Sequence, residues 1–123
     1  MARHNPATNG VPLFTNYKDG ESGETAIGTL DPAADFHLLG FRIHFDGVLA
    51  AGETLTLTLD SHVNASYDAV LYTRDLSVGS VVDLVIPFGG NEDFFKNGDT
   101  IVIALSANTA SRTWGATIIY ELT

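Results

Sequence analysis

Four histidines, His4, His37, His44 and His62, and a scatter of aspartates are the groups in this chain with metal or acid–base chemistry. His37 and His44 occupy one alternating stretch at opposite parity. On a strand that sends them to opposite faces, away from a common metal. His44 and Asp46 share parity, but one imidazole and one carboxylate fall short of a metal ligand set. Asp60, Asp68, Asp75 and Asp83 flank strand ends, where a structural calcium is conceivable. Calcium takes about six to eight oxygens, and no Asp-x-Asp-x-Asp-Gly loop is present. Turn aspartates bonding their own backbone are the simpler expectation. Ser61 and His62 are neighbours and would point apart on a strand, so they make no nucleophile–base pair. GxSxG, GxGxxG, P-loop and HExxH motifs are absent, and no two carboxylates sit in a glycosidase-like context. These residues predict no enzyme, no catalytic residue, no metal and no cofactor.

The elements that must position these groups have the period of strands. From Leu39 the odd positions Leu39, Phe41, Ile43 and Phe45 are apolar, with Gly40, Arg42 and His44 between them. Alternation of this kind marks a half-buried strand over Phe36–Phe45. Thr54 to Leu59 alternates threonine with Leu55, Leu57 and Leu59, and β-branched threonine suits an exposed pleated face. Further strands are predicted over 25–30, 68–74, 81–86, 100–105 and 113–122. Asp46-Gly47 and Asn97-Gly98 read as hairpin signals, and Pro87 closes a strand where a missing ladder donor does no harm. Short strands at this spacing predict an all-β fold, a single antiparallel β-sandwich or jelly-roll-like domain with an N-terminal arm. The predicted division is an extended arm over 1–24 and the sandwich over 25–123.

Composition narrows the function. The chain has 123 residues, 45% hydrophobic and 17% charged, which suits one self-sufficient core rather than a disordered tail. It has no cysteine, which excludes a disulfide scaffold, a thiolate zinc site and thiol catalysis. The net charge of −9 disfavours a nucleic-acid partner, which wants a basic face. No apolar run has membrane-spanning length, so no membrane partner is expected. Met1 to Pro6 shows no apolar leader segment, so Asn64-Ala65-Ser66 reads as a chance glycosylation triplet.

Apolar residues outside the strand pattern are the candidates for binding. In the arm they are Leu13, Phe14 and Tyr17, next to Pro12. Val48 and Leu49 lie between Gly47 and Gly52, and Phe94 and Phe95 precede Asn97-Gly98. An apolar loop tip either folds back on the core or awaits a partner. Folding back is expected of Phe95. Val48, Leu49 and Phe94 remain partner-binding candidates. A sugar platform needs several exposed rings, and only Tyr67, Phe94 and Phe95 fall in loops.

The strand series from Phe36-His37-Leu38-Leu39-Gly40-Phe41, through Tyr67-Asp68-Ala69-Val70-Leu71-Tyr72-Thr73-Arg74-Asp75-Leu76-Ser77, to Arg112-Thr113-Trp114-Gly115-Ala116 resembles small β-sandwich structural proteins of tailed phages. Some of these are capsid decoration (cement) proteins or head-fibre pieces. The resemblance covers Phe36 to Leu122, leaves the arm aside and brings no catalytic residue. It implies a virion protein on the capsid exterior, made in the host cytoplasm. Its partners would be the major capsid protein and further copies of itself, a homo-oligomer with trimer favoured over dimer. A carbohydrate-binding or adhesin-like module and a tail or baseplate accessory subunit are the alternatives.

Overall fold

A computed structural model describes residues 24–90 and 93–123 in full and residues 12–17 by their backbone. Among these, the strands are β1 (Pro12–Tyr17), β2 (Ala26–Leu30), β3 (Phe36–Phe45), β4 (Thr54–Asp60), β5 (Ala69–Asp75), β6 (Asp83–Pro87), β7 (Phe94–Phe95), β8 (Thr100–Leu105) and β9 (Trp114–Leu122). They form two antiparallel sheets. The first has the order β1-β9-β3-β6, with the short β7 also on β3, and the second has the order β2-β8-β4-β5. Successive strands change sheet at almost every connection; only β4–β5 and β6–β7 stay in one. This winding is the jelly roll, two Greek keys that leave few neighbours in sequence paired in space.

The core lies between the sheets and is built by alternation. β8 buries Ile101, Ile103 and Leu105, and β9 buries Trp114, Ala116 and Ile118. β4 buries Leu55 and Leu57, with its threonines turned outward and Thr56 bonded to Thr73 across to β5 at 3.3 Å. Phe95 reaches back into the core and packs on Phe36, ring centroids 5.3 Å apart.

β3 departs from the simple period. Its pairing with β9 slips between Leu38 and Gly40, so Leu39 is the extra residue of a bulge. Phe36 and Leu38 face the core before it, and Phe41, Ile43 and Phe45 after it, while Leu39 is only half-buried. A bulge moves the following side chains to the other parity. The expected opposition of His37 and His44 is thereby corrected: both stand on the outward face. Seven residues of strand still hold them roughly 20 Å apart.

Asp46-Gly47 is not a hairpin either. It begins the passage from β3 in one sheet to β4 in the other. Gly47 is required by close approach, because a Cβ there would lie 2.6 Å from the Arg112 guanidinium. The arm also differs from its expected lack of pattern. Its residues Pro12–Tyr17 form β1, paired antiparallel with β9 from Pro12↔Glu121 to Tyr17↔Ala116. A run with no apolar alternation can still be a strand when a neighbour's edge supplies the ladder.

Candidate functional site

The polar groups fall into two kinds, those that tie loops together and those that stand on an open sheet face. At one end of the sandwich Glu53 is buried between two loops. Its Oε1 accepts the Ala50 N–H at 2.9 Å, and its Oε2 accepts the Thr109 N–H at 2.9 Å and the Thr109 hydroxyl at 2.8 Å. The Thr109 backbone bond is the main reason its carboxyl lies below the usual range, against a smaller opposing effect of burial. Nearby, Asn108 Nδ2 donates to the carbonyls of Glu24 and Arg112, and Arg112 Nε donates to the Val48 carbonyl at 2.8 Å. At the other end Asp99 is buried and accepts the His62 N–H at 2.9 Å, the Lys96 N–H at 2.9 Å and a contact from His62 Nδ1 at 2.6 Å. Burial alone would raise the Asp99 carboxyl, but these bonds together with the imidazole charge hold it below its ordinary value.

Both carboxylates are thus engaged in holding loops. The aspartates weighed for calcium do not converge. Asp68 accepts from Ser61 N, Asp75 from Ser77 N and hydroxyl, and Asp83 pairs with His44. The Ser77 bonds, hydroxyl first, hold the Asp75 carboxyl below its usual range. Asp46 bonds Thr113 N rather than joining His44. Among the described residues no group of three or more histidines and carboxylates is placed to hold a metal ion. Asn64 caps a 3₁₀ turn by accepting from Ser66 N at 2.8 Å.

The outward face of the first sheet is different. Toward one end, the His37 ring lies flat on Phe94, with centroids 3.9 Å apart and planes at 8°. Its Nδ1 meets Glu121 Oε1 at 3.1 Å, and Nε2 is buried with no hydrogen-bond partner among the described residues. Phe94 itself stays 51% exposed. Further along, His44 stands between Gly115 on β9 and Asp83 on β6, and Arg42 stands between Thr117 and Val85. His44 Nδ1 contacts Asp83 Oδ1 at 2.5 Å. These six residues, with Ile43 and Leu84 beneath, line a half-open depression of about 470 Å³.

The sequence-predicted binding residues are dispersed. Leu49 is 3% exposed and belongs to the core, which corrects its place among the partner-binding candidates. The loop carrying it is drawn inward by the Glu53 and Arg112 bonds on either side. Val48 is half-buried, with its carbonyl on Arg112. Phe94 is exposed on the outer face. Leu13, Phe14 and Tyr17 stand in β1 opposite Tyr120, Ile119 and Ala116, and their side chains lie outside the described residues. Sequence reasoning missed Arg42, Asp83 and Val85 as a group, and Glu121 as the partner of His37. Their meeting depends on which strands pair and in which register, and only the parity of Arg42 with His44 was visible.

No family model and no curated protein matches the chain. Among solved structures, the crystal structure of the infectious bursal disease virus VP2 subviral particle aligns with 94% of this chain at 12% identity and a TM-score of 0.40, covering 31% of that chain. The structure of the infectious bursal disease virus Gx strain aligns with 93% at 13% identity and a TM-score of 0.33, covering 30% of that chain. This chain thus spans under a third of either viral chain. The jelly-roll assignment stands on the strand order itself.

Proposed function

We propose that this chain is a bacteriophage virion structural protein, a decoration (cement) subunit that binds the outer surface of the capsid and stabilises it. The observation that carries the reading is Phe94, a half-exposed aromatic ring held flat on His37 on an open sheet face. A rigid exposed ring loses little entropy on docking and is the kind of side chain that anchors interfaces. The fold agrees, since jelly rolls recur in viral capsid and lectin domains. So does the resemblance of Phe36 to Leu122 to phage structural proteins. The buried carboxylates are engaged in holding loops, which suits a mechanical role.

The mechanism is mass action. A subunit that binds only the assembled shell stabilises that state by the free energy of its binding. The major capsid protein is the partner, and copies of this chain associate on the shell, as trimers before dimers. Co-sedimentation with bare capsids tests the reading. Saturable binding at a fixed ratio to the shell protein, weakened by Phe94→Ala, is expected. Failure of the folded protein to bind shells would overturn it, and recovery with tails alone would move the subunit there.

A further inference from the structure

We infer that the depression on the outward face of the first sheet binds a neutral polyhydroxylated ring, the hexose unit of a glycan, between Arg42 and Asp83. The inference does not depend on shell binding. Arg42 is exposed and makes no ion pair among the described residues. Its guanidinium offers several donors in a fixed fork. Asp83 uses Oδ1 on His44 and keeps its second oxygen as an acceptor. The His44 ring adds a further polar group at Nε2, whose role as donor or acceptor follows its tautomer. Sugar hydroxyls both donate and accept, and this mixture of a guanidinium, a carboxylate and an imidazole serves both roles.

Shape and charge point the same way. Arg42 and His44 are two residues apart on β3, roughly 6–7 Å along the strand, a span that a pyranose ring bridges with a hydroxyl at each end. Gly115, across from His44, places no side chain in the space. Val85 is 71% exposed and supplies one apolar wall for the C–H face of a ring. The volume of about 470 Å³ falls within the roughly 300–1,000 Å³ of small-molecule sites. An anionic ligand is disfavoured because Asp83 shares the depression and the whole chain carries −9. A docked protein element would want more contiguous apolar area than Val85 provides.

The test is an NMR titration of the isotope-labelled full chain with methyl glycosides of glucose, galactose, mannose and N-acetylglucosamine, with N-acetylneuraminic acid as the anionic arm. At least one neutral glycoside should shift the amides of residues 42–44, 83–85 and 115–117, saturating in the millimolar range. Arg42→Ala and Asp83→Asn should each weaken that binding tenfold or more, with the rest of the spectrum intact. Arg42→Lys, which keeps the charge but loses the fork, should weaken it less than alanine. The inference is overturned if no neutral glycoside moves these amides, if the shifts map elsewhere, or if Arg42→Ala and Asp83→Asn bind as the parent does. Shifts with the neuraminic acid alone would equally refute the neutral ring.

Discussion

Glu53 holds Thr109 twice, by its backbone N–H and by its hydroxyl, although 56 residues separate them. The same carboxylate takes the Ala50 N–H, so one side chain ties the β3–β4 passage to the β8–β9 loop. Removing it breaks three partly buried hydrogen bonds to a charged acceptor, each worth about 1.5–3 kcal/mol at most. Glu53→Ala should therefore lower the melting temperature by several degrees in calorimetry. Thr109→Val, which loses only the hydroxyl bond, should cost less.

Acid should unfold the protein through its held carboxylates. Glu53 and Asp99 both have folded-state pKa values below their ordinary ones, Glu53 mainly through the Thr109 backbone bond and Asp99 through its His62 and Lys96 bonds despite burial. A depressed folded pKa adds stability above the unfolded value and loses it as pH falls through the folded one. The melting temperature should thus stay level down to about pH 4, the ordinary carboxylate range, and drop below it. Asp99→Asn should flatten that acid limb and lower the plateau. An acid limb unchanged in this variant would show that Asp99 is not among the groups responsible.

Core and surface readings of the two apolar loops separate by mutation. Leu49→Ala removes a buried side chain and should cost about 2–5 kcal/mol in denaturant melts. Phe94→Ala loses mainly its stacking on His37, worth about 0.5–1.5 kcal/mol. Its larger effect should fall on binding to shells.

The alternation of β4, β8 and β9 was legible because those strands carry a full inside–outside period. A turn at Asn97-Gly98 was legible too, with Gly98 at positive φ and Asp99 N bonded to Lys96 O, but it carries the chain from β7 in one sheet to β8 in the other and is not the expected hairpin. The bulge at Leu39 was not, since Leu38 and Leu39 are equally apolar and only the pairing with β9 chooses between them. Leu49 looked like a loop tip because the polar ties that draw its loop inward come from residues some sixty positions away, at Thr109 and Arg112. For the same reason the outward cluster was invisible. Arg42, Asp83 and Thr117 become neighbours only through strand order.

Gly98→Ala offers a local test of the His62–Asp99 clamp. A Cβ at this position would stand 2.8 Å from the Cβ of His62, on a backbone at φ +96°. Left-handed backbone alone costs an L-residue about 1–2 kcal/mol, and the clash adds to it by pushing the His62 loop off Asp99. Thermal melts should fall by more than the backbone cost. A fall within that cost would mean that the loop yields freely.

The last expectation concerns β1. Its backbone pairs with β9 over Pro12–Tyr17, at the outer edge of the first sheet. Deleting Met1 to Tyr17 would remove that ladder and turn β9, now an interior strand, into an edge. An uncovered edge strand loses hydrogen-bonded neighbours and invites pairing with other chains. The truncated protein should therefore melt several degrees lower and scatter light at concentrations where the full chain does not. A truncated protein as stable and as monodisperse as the full chain would mean that β1 adds nothing to the sheet. Because the deletion disturbs the sandwich, it cannot isolate what Leu13, Phe14 and Tyr17 contribute to a shell. Single replacements by alanine keep the β1 backbone in place, so weakened co-sedimentation of any of them with an unchanged melting temperature would assign that side chain to the contact. Unchanged co-sedimentation of all three would remove them from it.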